Sequence, residues 1–289
     1  MNSFFDLHVH ISPDIVLRKY NLYNINKVLP TTHSGIVLKS HVYNTVKLAN
    51  HLRKQGYPIY GSLVLNKYIG GLNINTIKTT IKNSYQHEPF ILYFPTFSYN
   101  YWITNLEKKT TKTFKNNIFL ETISYNGHLK KNVIDIIKLA SYHNIPIATG
   151  HSNKNEVLLL CEEVEKNNGT LLLTHPCHPF IGFTINELNI ILNSSSNIYI
   201  EITLLMLLNK KQSFENLYKL LSICNNNKIC ISSDLGQIDN ISPSTGYKWF
   251  NDNLNNYFND IQFSKTLFKK LCWLNPMKLL GLRGKFYDC

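Results

Sequence analysis

The stretch IATGHSNKNEVLLLCEEVEKNNGTLLLTH, Ile147 to His175, decides the fold. It opens on a short apolar run, Ile147 to Gly150, and continues into a segment from Glu156 to Val164 whose apolar residues have helical spacing. The turn pair Asn168-Gly169 follows, and a second apolar run, Leu171 to Thr174, ends the stretch. A strand, a helix stopped by a glycine at its C-terminal cap, and another strand make one unit of a parallel sheet. Similar runs lie upstream at Phe4 to His10, Gly35 to Lys39, Ile59 to Leu65 and Phe90 to Phe94, and downstream at Ile198 to Ile202 and Ile229 to Ser233. A second helical face stands at Val133 to Tyr142. The segment Tyr99 to Lys115, the run Ile118 to Ile123 and the turn Tyr125-Asn126-Gly127 read as an inserted strand or hairpin after the fourth strand. Eight strands alternating with helices, in a chain of 289 residues without linker or repeat, predict an α/β protein. The expected architecture is a single (β/α)8 TIM-type barrel over residues 1–289 with a small inserted hairpin.

Composition narrows the class. Hydrophobic residues make up 44% of the chain and charged residues 17%, which is enough apolar material for a core and excludes intrinsic disorder. The longest apolar stretch, around Leu204 to Leu208, falls far short of the ~20 residues that cross a bilayer. Asp6 and His8 come too early for a signal segment. Six scattered cysteines without a CxxC pair speak against a thiolate zinc site or a disulfide framework, so a cytoplasmic location is expected. Lys+Arg outnumber Asp+Glu by 30 to 18, a net +12. Lys78, Lys82, Lys108, Lys109, Lys112 and Lys115 carry part of that excess, but no stacking motif or arginine cluster accompanies them. They read as solvated surface rather than a nucleic-acid face. An anionic small-molecule substrate suits the charge, and a homo-oligomer is compatible with it.

In a barrel of this kind the active site lies at the C-terminal ends of the strands. Strand one ends Asp6-Leu7-His8-Val9-His10, and two-residue alternation sends residues 6, 8 and 10 to one side. The second strand ends on Lys39-Ser40-His41, the fifth on His151, the sixth on His175 and the eighth on Asp234. His33, His51, His87, His128 and His143 fall in helices and loops and read as structural or exposed. Four histidines and an aspartate at strand ends form a ligand set for one or two divalent ions. Zinc is the first choice, with manganese, iron or nickel accessible by the same chemistry.

That order of residues resembles the amidohydrolase superfamily of metal-dependent hydrolases. More narrowly, DLHVHISPD (6–14), VLKSH (37–41), LVLN (63–66) with Gly70-Gly71-Leu72-Asn73, ATGHS (148–152), LLLTHP (171–176) and SSDLGQ (232–237) look like an uncharacterised bacterial branch of it. The ending Asn275-Pro276 with Leu279-Leu280-Gly281 is similar to the superfamily's C-terminal helix. The resemblance implies that His8, His10, His151, His175 and Asp234 hold metal and that Asp234 also moves the proton of an activated water. The reaction would be hydrolysis of an amide, ester or lactone-type bond. His41, Asn66 and His178 become candidates for substrate contact, and Asp6 for orienting an imidazole or capping backbone N–H groups. Many two-metal members carry a bridging carboxylated lysine or a glutamate after strand four, where this chain has Phe94-Pro95-Thr96. Lys39, carbamylated, could fill that role or serve as a plain cation, and Glu121 is the weaker candidate. A TatD-like or histidinol-phosphatase-like phosphoesterase, and a non-catalytic metal-binding barrel, are the competing readings.

Overall fold

The computed structural model describes residues 3–28, 34–84, 88–99 and 119–282. Eight parallel strands form one sheet in the order β1 (Phe5–His10), β2 (Gly35–Lys39), β3 (Ile59–Val64), β4 (Phe90–Tyr93), β7 (Ile147–Ala148), β8 (Leu171–Leu173), β9 (Ile198–Thr203) and β10 (Ile229–Ser232). The sheet closes on itself. Val9 bridges Leu235 in parallel, the Asp234 N–H donates to the His8 carbonyl at 2.9 Å, and the His10 N–H donates to the Leu235 carbonyl at 2.8 Å. This is a (β/α)8 barrel, and each barrel strand lies within two residues of its sequence-derived bounds.

Helices α1 (Val46–Lys54), α2 (Ile74–Asn83), α3 (Lys131–Tyr142), α4 (Lys154–Lys166) and α5 (Ile185–Ser194) follow in chain order. After them come α6 (Leu204–Leu208), α7 (Phe214–Ile223), α8 (Pro243–Phe258), α9 (Ile261–Lys269) and α10 (Asn275–Leu279). They bury one face against the outside of the sheet, as Val133, Ile136, Ile137 and Ala140 of α3 do. The barrel interior is a separate core of Phe5, Leu7, Val37, Tyr60, Val64, Ile91, Tyr93, Ala148, Leu172, Tyr199 and Cys230. Met277, Leu279, Leu280 and Leu282 pack into that core, so the C-terminal helix plugs the barrel.

Four details differ from the sequence reading. The left-handed position after α4 is taken by Asn168 (φ 53°), not Gly169. Gly169 is needed for space instead, because a Cβ there would lie 2.4 Å from Ser141 Oγ. The helix also begins earlier than Glu156, since Asn153 caps it. Its side chain accepts from the Glu156 N–H while the Glu156 carboxylate accepts from the Asn153 N–H. The inserted hairpin is β5 (Ser124–Tyr125) paired antiparallel with β6 (His128–Leu129), and residues 119–123 carry no strand pairing. Asn126 and Gly127 both take positive φ, 48° and 77°, as a two-residue hairpin turn requires. The remainder of the expected insertion, 100–118, lies outside the described residues, as do His33, His87, Lys108, Lys109, Lys112 and Lys115.

The fourth difference shapes the site. Pairing of β1 with β2 runs Asp6↔Ile36 and then Val9↔Leu38, so β1 holds one extra residue. This bulge breaks the alternation. Phe5 and Leu7 fill the barrel interior, yet His8 and His10 face inward as well, while Val9 and Ile11 join the outer core. Asp6 therefore does not share a side with the histidine pair. Its Oδ1 accepts from the backbone N–H groups of His8 (3.0 Å) and Ser233 (2.9 Å), which ties the two strands at the barrel seam.

Candidate metal centre

His8 and His10 project from the bulged end of β1, and Asp234 follows β10, whose closing bonds to β1 hold it beside them. His8 Nε2 lies 3.2 Å from His10 Nε2 and 3.2 Å from Asp234 Oδ1, and His10 Nε2 lies 3.1 Å from the same oxygen. Asp234 is held in the left-handed region (φ 54°) and His175 at φ 31°, conformations that cost about 1–3 kcal/mol each and concentrate at functional sites. Two glycines allow the close packing around them. A Cβ on Gly236 would stand 2.1 Å from the His10 carbonyl oxygen, and one on Gly150 would stand 2.2 Å from that of Phe94.

Protonation within the triangle follows from what lies behind it. His8 Nδ1 is 3.1 Å from Oε1 of Glu201, a fully buried residue on the inward face of β9. Burial alone would raise the Glu201 carboxyl, but the hydrogen bond with His8 and the positive charge of Lys39 help to bring it down to about 2. A carboxylate only accepts, so the His8 proton sits on Nδ1 and Nε2 offers a lone pair. His10 Nδ1 points to Asp14 Oδ2 at 3.5 Å. That oxygen also receives Arg18 through Nη2 (2.6 Å) and Nε (2.7 Å).

Two imidazole nitrogens and a carboxylate oxygen thus converge within 3.2 Å. Such a cluster of nitrogen and oxygen atoms offers the donor types that a divalent cation takes. Nitrogen and oxygen donors at about 2.0 Å from a tetrahedral zinc stand about 3.3 Å apart, which these separations match. The residues fit a divalent ion. The cation nearest to them is Lys39, whose Nζ lies 2.8 Å from His8 Nε2 and 4.2 Å from the centre of the Tyr93 ring. Lys39 is fully buried, and burial brings its ammonium down to about 8 despite the charges of Asp234, Glu201 and Asp14.

His151 and His175 lie outside this triangle. From His10 a row of rings extends through His41 (4.8 Å between centroids), His151 (6.4 Å), His175 (5.2 Å) and His178 (5.6 Å). Thr96, after β4, orients two of them. Its hydroxyl meets His41 Nδ1 at 2.8 Å and its carbonyl accepts from His151 Nδ1 at 2.7 Å. Asn66 holds Thr96 in turn, donating from Nδ2 to its hydroxyl (2.7 Å) and to the His41 carbonyl (3.0 Å), and accepting its N–H at Oδ1 (2.8 Å). Asn66 thus braces the histidine row. His178 Nδ1 accepts from the Phe180 N–H at 3.2 Å, and Lys211 Nζ lies 3.4 Å from its Nε2. Glu121 packs against Gly71 in the turn after β3, with Lys67 and Lys130 as the charges acting on it.

The sequence reading passed over Glu201, Thr96 and Arg18. A glutamate inside the run Ile198-Tyr199-Ile200-Glu201-Ile202 was a usable signal, since a charged residue on the inward parity of a barrel strand needs a partner. Thr96 carried none.

The row predicts acid sensitivity. Burial holds His10, His41 and His151 well below the ordinary imidazole value, His175 at about 3, and His178, with Lys211 adding to the effect, at about 4. As pH falls through 6.5 the unfolded chain takes up protons that the folded chain refuses, so stability drops until the folded values are reached. Asp6, raised to about 7 by burial, and the smaller rises of Asp14 and Asp234 act oppositely, but five imidazoles outweigh them. The melting temperature of chelator-treated protein should fall steadily between pH 6.5 and 4, and a flat profile would contradict this account.

A family model described as a family of unknown function (DUF6282) matches residues 3–201. None of the curated proteins matches the chain. Among solved structures it is similar to an amidohydrolase II, at TM-score 0.59 and 13% identity over 96% of this chain and 100% of that one. It is also similar to a D-hydantoinase (dihydropyrimidinase) from Thermus sp., at TM-score 0.58 and 12% identity over 98% and 71%. A metallo peptidase from Rhodobacter sphaeroides gives TM-score 0.57 and 12% identity over 97% and 99%. At these identities the likeness is one of fold.

Proposed function

The chain belongs to the DUF6282 family, a family of unknown function, and we propose that it is a metal-dependent hydrolase of the amidohydrolase type. The observation that carries this reading is the triangle of His8 Nε2, His10 Nε2 and Asp234 Oδ1, with sides of 3.1 to 3.2 Å, at the C-terminal mouth of the barrel. The three residues would hold one divalent ion, zinc first. His151 and His175 would hold a second, with a carbamylated Lys39 between the two. A bound ion would supply a Lewis acid and a water acidified toward about 7.

The chain's own groups do the rest. Asp234, whose side chain is 17% exposed, is the member of the triangle open to the mouth. Its carboxylate takes the proton of the attacking water and hands it to the leaving group. The His8 ring, braced from behind by Glu201, and the His10 ring beside it keep their Nε2 atoms aimed at one point. His41 and His178 face the substrate from the histidine row. Lys211 adds positive charge beside His178, which favours an anionic group on the substrate, whose scissile bond would be of the amide, ester or lactone type.

The test combines metal analysis with stability and a substrate screen. Protein expressed in supplemented medium should carry one or two equivalents of zinc or a similar ion. Chelation should lower the melting temperature and added zinc restore it, because an ion bound only by the folded chain stabilises it. Metal-free protein with no response to zinc would reject the centre. Turnover confined to phosphoesters would favour the phosphoesterase reading, and metal without any turnover the non-catalytic barrel.

A further inference from the structure

Buried carboxylates stand behind both imidazoles of the triangle, and they are not equivalent. Glu201 Oε1 meets His8 Nδ1 at 3.1 Å, while Asp14 Oδ2 stands 3.5 Å from His10 Nδ1 and is already engaged by two nitrogens of Arg18. We propose that Glu201 is the main positioning residue of the centre, holding His8 in the tautomer and orientation that leave Nε2 to the ion. This inference rests on the reading of the triangle as a metal centre.

Three observations support the role. Register places Glu201 on the inward face of β9, opposite Cys230 of β10 and on the same parity as Tyr199, whose ring belongs to the barrel interior. The side chain is fully buried, and its Oε2 has no hydrogen-bond partner among the described residues, so the hydrogen bond to His8 is the main one the carboxylate makes. A buried charge that spends itself on one ring nitrogen holds that ring firmly and raises the donor strength of the opposite nitrogen. Asp14 lends less to His10, because the Arg18 guanidinium draws on the same oxygen. His8 is therefore the stronger and better-oriented donor of the pair, although the two occupy adjacent inward positions of one strand.

The test uses the whole chain and two readouts. In metal-free, nitrogen-15-labelled protein, the His8 imidazole shifts, assigned by their loss in His8→Gln, should report a proton on Nδ1. Zinc affinity, measured by competition with a chromophoric chelator, should fall about 10- to 100-fold in Glu201→Leu. Glu201→Gln keeps a carbonyl that accepts from Nδ1, so it should retain the tautomer and recover part of the affinity, a rescue that mere filling of the barrel would not produce. A His8 proton found on Nε2, or unchanged zinc affinity in Glu201→Gln and Glu201→Leu, overturns the proposal. If Glu201→Leu fails to fold, the glutamine variant decides, and native affinity there overturns it. If the native protein binds no zinc, the metal reading fails, while the nitrogen shifts still show whether Glu201 holds His8.

Discussion

Asp234→Asn is expected to keep the barrel folded and to lose hydrolysis by ~10²-fold or more, the low end for removal of a general acid–base group. The backbone has little reason to move. The residue's N–H bond to the His8 carbonyl (2.9 Å) is independent of the side chain, and asparagine tolerates the left-handed region that φ 54° demands. The amide is nearly isosteric and its oxygen can still face His8 and His10, so much of the metal should remain. It cannot take up a proton at neutral pH. Single-turnover and steady-state rates on a substrate found by screening, with metal counted in the same samples, give the measurement. Full turnover in Asp234→Asn would remove the proton-shuttle role, whereas loss of metal together with rate would recast Asp234 as a ligand only.

Lys39→Ala is expected to remove about half of a two-ion complement. An ammonium 2.8 Å from His8 Nε2 competes for the lone pair that an ion needs and repels any divalent charge, so a Lys39 that coexists with metal must be neutral or modified. Among the described residues no carboxylate lies within ion-pairing distance of its Nζ, which leaves the charge compensated only at longer range. Addition of carbon dioxide to the neutral amine, with release of a proton, would turn this cation into a carbamate anion able to bridge two ions. Short-chain carboxylic acids should then restore part of the lost metal in Lys39→Ala. Unchanged metal with a raised KM would instead make Lys39 a substrate cation, and unchanged metal with unchanged kinetics would exclude it from the site.

Much of the architecture was legible in the chain because it is encoded locally. Apolar runs of strand length, helical spacing at Val133 to Tyr142, and the Asn126-Gly127 turn depend on neighbours a few residues apart, and each appears in the structure near its expected place. Where the reading slipped, the structure had settled a neighbouring residue instead. Asn168 took the left-handed position while Gly169 gives clearance to Ser141 of α3, and the hairpin formed at the turn rather than in the apolar run before it.

The candidate site divides along the same line. By itself the sequence determined that histidines and an aspartate end several strands, because strand ends follow from runs of apolar residues and the turns that stop them. Only the tertiary structure decided which of these meet. One extra residue in β1 turned His8 and His10 inward and sent Asp6 to the seam, and closure of the barrel brought Asp234 within 3.2 Å of both rings. The same closure set Glu201 behind His8, 193 positions away in the chain, and set Thr96 between His41 and His151. Periodicity along a chain records which face a residue takes. The approach of donor atoms to about 3 Å depends on register, bulge and closure, which are properties of paired strands and have no counterpart in a single one.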